Sequence, residues 1–458
     1  MNDGTTAQGV LFEGLLNKPV VVQFDQDAMS SDGGAILLKA CDEALGLTAR
    51  LANCLTDVRQ EGKVQHRVLD MFRQRVYGLA CGYEDVNDAA RLKHDPAFKM
   101  VLDRDPLNGS ALPSQPTLCR FEQSVRAREL LQMAGALADV VIERHRRKTR
   151  GRVKRITIDL DPTVDEAHGM QQLSMFNGAY DARCFLPLAG FLTFDDEPEQ
   201  YLFTYILRPG DVAGKEGCIG MLRRLLPRLR SAFPKARVRI RLDAGFSGPE
   251  LYDFFEAERM EYVVCMASNS VLLERAEPFL QTVRDHWTQH QAFICRYGET
   301  RYKARSWSRK RRVIIRASLV AHPGRATKDN PRFIVTNIRG WPKTLYEQIY
   351  CARGDVENRI KELKDGLSID RTSCTDFYAN QLRALMTAAA YVLMQEIRLK
   401  ASHTSCQRAQ VSTLRLRLLK IGARVERSVR RIVLHLPRSM PFADDWHRIA
   451  RAVGAVPT

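Results

Sequence analysis

The sequence predicts a mixed α/β fold, a sheet flanked by helices, on three observations. Residues 155–161, RITIDLD, alternate: Ile156, Ile158 and Leu160 face one way, Thr157, Asp159 and Asp161 the other. Two more strand-like runs follow, CFLPLAGFLTF and YLFTYILRPG. The order then becomes helix, strand, helix, strand: GCIGMLRRLLPRLRSAF, RVRIRLDAGF, PELYDFFEAERM and EYVVCMA. Three strands leading into alternating helix and strand imply a mixed sheet.

Residues 1–150 read as a helical N-terminal domain. AILLKACDEALGL, VLDMFRQRVYGLACGY and TLCRFEQSVRARELLQMAGALADVVIERHRR carry apolar residues at three-to-four spacing. Thr117, after Pro116, is the expected N-cap of the last. The basic run ERHRRKTRGRVKR (143–155), with Arg146, Arg147 and Lys148, is either a solvated helix end or a phosphate contact. Residues 151–400 form the expected catalytic domain, with its first helix interrupted near Pro227. FICRYGETRYKA, VIIRASLVA and RFIVTNI make 270–340 a β-rich insertion. The apolar run LMTAAAYVLM (385–394) is too short to span a bilayer and reads as a buried helix. Residues 401–458 form a basic C-terminal tail, helix followed by strand.

The 458 residues are too many for one ordinary domain, and a hydrophobic fraction of 45% is ample for a packed core. A formal charge of +17 points to a polyanionic partner, and nucleic acid is favoured over a membrane surface. Eleven cysteines without a C-x-x-C pair argue against a disulfide framework or zinc ribbon and fit a reducing cytoplasm. No signal peptide is expected from MNDGTTAQGVLFEG.

The chemistry centres on carboxylates. Asp161 ends the first strand and Asp243 the fourth. Glu357 lies in YCARGDVENRIKELKDGL (350–367). At about 100° per residue, Tyr350, Arg353, Glu357 and Lys364 share one arc of about 60°. Val356, Ile360, Leu363 and Leu367 form an apolar stripe beside it. Three converging carboxylates repel one another unless cations lie between them, and oxygen-only ligands suit magnesium or manganese. On that reading Glu357 coordinates metal, Arg353 and Lys364 hold phosphate oxygens and Tyr350 donates to another. Asp355 and Glu362 point away and fit a solvated face. Asp159 and Asp161 share a strand face, so geometry does not choose between them. RSWSRKRRVIIR (305–316) places Arg309, Lys310 and Arg311 around Trp307, which suits backbone contact plus stacking on an unpaired base, or a packed hairpin tryptophan.

Other motifs fail on spacing. GDVAGK (210–215) has three residues between its glycines and Glu216 after Lys215, so it is no P-loop. His286, His290 and Cys295 lack a fourth zinc ligand. There is no G-x-S-x-G elbow.

The string Y-x2-R-x3-E-x6-K at Tyr350, Arg353, Glu357 and Lys364 resembles the signature of bacterial DDE insertion-sequence transposases. IDLDPTVDEAHG, FNGAYDARCFLPLAGF, LRPGD and RLDAGFSG resemble, in order, blocks of the group-1 DDE transposase subfamily. The resemblance covers roughly residues 20–400. It implies an RNase H-like mixed sheet with a β-rich insertion before the glutamate helix, and its D-x-T pattern favours Asp161 over Asp159. It implies catalytic, metal-binding Asp161, Asp243 and Glu357, two Mg2+ ions (Mn2+ able to substitute), and double-stranded DNA as partner. The expected protein is a homodimer on element ends, in the bacterial cytoplasm at the nucleoid. It cuts the terminal inverted repeats and joins the 3′-ends to target DNA. The rival readings are an RNase H-like nuclease that cuts without joining, and a DNA-binding protein without catalysis.

Overall fold

The computed structural model describes residues 9–14, 16–321 and 326–457. It opens with a hairpin of β1 (Val10–Phe12) and β2 (Val20–Val22), which pair only with each other among the described residues. A short β3 (Met29–Ser30) leads into seven helices: α1 (Ala35–Leu45), α2 (Leu47–Ala52), α3 (Val68–Ala80), α4 (Asp88–Leu92), α5 (Pro96–Val101), α6 (Gln115–Glu122) and α7 (Ala127–Thr149). The apolar spacing accounts for the longer ones: α7 buries Leu130, Met133, Leu137, Val140 and Val141 along one stripe. The single helix expected after Pro116 is two. Pro116 sits in the first turn of α6, where its missing N–H costs nothing, and Thr117 is inside that turn rather than at the N-cap. The chain breaks at 123–126, and α7 restarts with the Arg126 N–H donating to the Glu129 carboxylate at 2.8 Å.

β4 (Arg155–Pro162) begins the central sheet. Three short strands, β5 (Asp165–Glu166), β6 (Met175–Asn177) and β7 (Ala182–Phe185), form a small sheet of their own. Pro187 separates β7 from β8 (Leu188–Phe194), so CFLPLAGFLTF is two strands. After β9 (Tyr201–Ile206), α8 (Cys218–Ala232) runs through Pro227 without interruption. Pro227 and Arg223, four residues before it, are both exposed, so water can serve the freed carbonyl. Packing of Met221, Leu222, Leu225, Leu226 and Leu229 holds the helix. β10 (Arg237–Leu242), α9 (Pro249–Ala257) and β11 (Glu261–Met266) follow as expected.

Residues 270–340 differ from a β-rich insertion. They open with a 21-residue helix, α10 (Ser270–His290). β12 (Arg296–Tyr302), β13 (Arg311–Ala317) and β16 (Arg332–Thr336) then extend the central sheet, while β14 (Leu319–Val320) and β15 (Lys328–Asp329) pair apart. β16 joins antiparallel to β11, covering what would otherwise be an open edge. The sheet has eight strands in the order β12-β13-β16-β11-β10-β4-β8-β9, with β10 parallel to both β4 and β11.

α11 (Pro342–Thr344) begins a helical stretch that is irregular before Glu357: a π turn at Leu345–Tyr350, a 3-10 turn at Cys351–Gly354, then α12 (Asp355–Leu367). α13 (Phe377–Lys400) is buried from Ala379 to Arg398 and packs on α3, α7 and β9, as its apolar run implied. The C-terminal region carries the expected helix followed by strand, and is packed. It holds α14 (Val411–Leu414), a π turn, β17 (Ala423–Arg427), β18 (Ile432–His435) and α15 (Ala443–Ala452). β17 pairs with β3, Lys420 Nζ lies 2.8 Å from Asp32, and Arg415 donates to the Ala80 carbonyl. The described residues after 401 are therefore packed onto the helical region.

Candidate active site at the ends of two parallel strands

The register of β4 and β10 builds the site. Asp159 stands opposite Arg241 in this parallel pair, so two residues on, Asp161 and Asp243 come side by side at the strand ends. Asp243 then caps a 3-10 turn, accepting from the Gly245 N–H at 2.9 Å. Arg353 reaches the pair from the irregular helical stretch. Its guanidinium is 2.5 Å from Asp161, 3.7 Å from Asp243 and 4.0 Å from Glu357. The three acids of the sequence reading thus share one cation, a side chain of the protein itself.

Their environments differ. Asp161 is mostly buried and Glu357 is exposed. Burial pushes the Asp161 carboxyl up to about 7, with Asp243 and Glu357 adding to the rise and Arg353 opposing it. Among the described residues, no three His, Cys, Asp or Glu side chains stand close enough to hold an ion as they are. The donor chemistry nonetheless fits a hard divalent cation: the acids supply only oxygen and already converge on a positive charge.

Asp159 is separated from this group. Fully buried, it receives Arg241 Nε at 2.7 Å, Arg241 Nη2 at 2.6 Å and Gln200 Nε2 at 3.1 Å. Arg241 also donates to the Ile349 carbonyl at 3.1 Å, tying the strand pair to the π turn.

The other predicted contacts fall into three groups. Lys364 donates to the Val164 carbonyl and lies 3.8 Å from Asp370, so it ties α12 to the segment just after Asp161. Tyr350 packs on Tyr346 and its hydroxyl lies by the Cys265 thiol. Because a π turn and a 3-10 turn precede Asp355, the uniform helical arc does not describe Tyr350 and Arg353. Glu362, expected on a solvated face, is buried and paired with Arg398 at 2.6 Å, fastening α12 to α13.

Of the two readings of the run around Trp307, the fold matches the packed hairpin. Trp307 is buried, edge-on to Tyr252 and Tyr302 at 5.2 and 5.3 Å. Arg311 is buried beneath it, held by Glu256 at 2.9 Å and by Asp253. Arg309 pairs with Glu256 at 2.6 Å, whereas Lys310 is exposed with no ion pair among the described residues. Trp307 is thus a packed hairpin residue, closed to a base by α9. Trp307→Ala is expected to lower stability by roughly 3–5 kcal/mol. Denaturant unfolding checks this, and an unchanged midpoint with weaker binding to unpaired DNA would restore the stacking role.

At the other end of β4, Arg146 is exposed, Arg147 pairs with Glu143 and Lys148 pairs with Glu197 at 2.7 Å. Arg155 begins the strand that Asp161 nearly ends, so this run lies roughly 20 Å from the acids.

Tyr180 was not singled out by sequence reasoning, although it lies in the quoted block FNGAYDARCF. Burial raises its hydroxyl pKa, and the charges of Asp161 and Asp243 add to that rise. Its one signal was membership of that block, since an exposed tyrosine on a turn carries no periodicity.

Two strand-end aspartates and a helix glutamate meet at one guanidinium, on a mixed sheet flanked by helices. The family model described as transposase DDE domain group 1 matches residues 12–457, nearly the whole chain, and the chain belongs to that family. No curated protein matches it.

Proposed function

We propose that this DDE transposase binds the terminal inverted repeats of its own insertion sequence, cuts them and joins the freed 3′-ends to target DNA. The observation that carries this reading is the parallel register setting Asp161 beside Asp243, with Glu357 brought to the same guanidinium. The β4–β8–β9 and β10–β11 order supports an RNase H-like core. Asp161, Asp243 and Glu357 would hold Mg2+ or Mn2+, as two ions, which would supply charge stabilisation and an activated oxygen nucleophile for in-line phosphoryl transfer. Arg353 neutralises the acids and sits where a phosphate oxygen must approach them. Lys364 holds α12 against the turn after Asp161, which positions Glu357. Water and a DNA hydroxyl are equivalent nucleophiles here, so one site serves cutting and joining. The assembly is a homodimer on two ends, in a bacterial cytoplasm at the nucleoid. No described helix is long and apolar enough to cross a membrane.

The test is incubation of end-sequence DNA with the protein and MgCl2, MnCl2 or EDTA. Cleavage that EDTA abolishes, followed by strand joining, is expected. Cleavage without joining leaves the nuclease reading; binding without either leaves a DNA-binding protein.

Affinity supplies a second expectation. Arg146, Arg150, Arg152 and Lys154 are exposed and form no ion pair among the described residues. Neutralising these four should flatten the slope of log affinity against log salt by up to roughly 3–4. A slope unchanged in a titration from low to high salt shows that this end of β4 is off the DNA.

A further inference from the structure

Among the described residues, the β1–β2 hairpin is an apolar arm without cover. Val10, Leu11, Phe12, Leu16, Val21 and Val22 are exposed, and Phe24 just beyond is 90% exposed. A two-stranded ribbon is marginal in water by itself, and an apolar surface of this extent marks a contact site. Its charge runs against the rest of the protein. Residues 10–27 carry Glu13, Asp25 and Asp27 against Lys18, three acids less one base, in a chain of net +17. An acidic, apolar arm is repelled by DNA and suited to a basic receptor with an apolar floor.

The helical region contains such a receptor. A cavity of about 410 Å³ opens between the loop 55–68 and α6. Met71, Phe121 and Val125 line it, with Val58 exposed at its edge. Lys63 and Arg120 stand at the rim, exposed and with no ion pair among the described residues. Arg59 is already held by Asp57 at 2.7 Å, so Lys63 and Arg120 are the rim charges left to answer Asp25 and Asp27.

We propose that the arm of one copy seats in this cavity of a second copy, Phe12 and Phe24 supplying the apolar contact and the acidic residues meeting Lys63 and Arg120. Among the described residues the arm's own chain leaves its apolar side chains in water, which favours a second copy as the receptor. The proposal deepens the homodimer of the proposed function. Its test needs neither DNA nor metal, so its failure leaves the acid site untouched.

The experiment is sedimentation velocity of the full chain without DNA over a range of concentrations. The wild type should self-associate. The arm variant Phe12→Ser/Phe24→Ser and the rim variant Lys63→Glu/Arg120→Glu should each weaken the dimer at least tenfold, with unchanged melting because all four residues are on the surface side of their elements or at the rim. Adding Asp25→Lys/Asp27→Lys to the rim variant should restore association. A wild type that stays monomeric, or an arm variant that dimerises as tightly as wild type, overturns the proposal. So does a rim variant that keeps its dimer and loses DNA affinity, which would make the cavity a nucleotide site.

Discussion

Asp243→Asn should abolish cleavage of end DNA, by roughly a thousandfold or more, about 4 kcal/mol of transition-state stabilisation, while DNA binding persists. The side chain is one-third exposed, and its one backbone hydrogen bond is to Gly245 N, which the amide oxygen of Asn can still accept. Folding should therefore change by less than about 1 kcal/mol. What is lost is the charge: a neutral amide is a poor ligand for a hard cation. Glu357→Gln carries the same expectation with less structural risk, since Glu357 is exposed and glutamine has nearly the same helix propensity. Asp161→Asn also removes the closest partner of Arg353, so it should lose activity and some stability together. The measurements are cleavage rate, DNA affinity and melting on each variant. An Asp243→Asn protein that cuts at the wild-type rate sinks the assignment of all three acids, because the register that places Asp243 also places Asp161.

Much of this site was legible because its parts are local. The alternation in RITIDLD gave β4, and DAG after RVRIRL gave the strand end at Asp243. The acids were recognisable because strand ends and a helix can converge, and the family blocks supplied the order. The unread parts depend on distant partners. Trp307 sits among basic residues in sequence, but Glu256 and Asp253 from α9 turn Arg311 inward, and nothing within 305–316 announces them. β3 pairs with β17 across almost the whole chain, so residues 401–458 looked like a tail. The wheel for 350–367 assumed one helix geometry, and the π and 3-10 turns change the angle per residue just where Tyr350 and Arg353 lie. Strand 296–302 reads as β either way; that it continues the central sheet follows from its partner β13 pairing with β16, which lies on β11.

Asp159→Asn should fail in a different way from the acids around Arg353. On the sequence alone it shares a face with Asp161 and is an equal candidate for the site. In the fold it is sealed between Arg241 and Gln200, and both of its oxygens are already used. Removing its charge leaves the Arg241 guanidinium buried with a weaker partner, a defect worth roughly 3–5 kcal/mol. The melting midpoint should fall by roughly 3–5 °C. The loss should spread to the π turn, because Arg241 also holds the Ile349 carbonyl ahead of Arg353. Cleavage per folded molecule should drop far less than in Asp243→Asn. The double replacement Asp159→Leu/Arg241→Met separates charge from shape: a buried pair exchanged for apolar groups of similar volume is often neutral, so melting should recover toward wild type. Should Asp159→Asn melt like wild type and yet not cut, the first catalytic carboxylate is Asp159, and Asp161 becomes the partner of Arg353 alone.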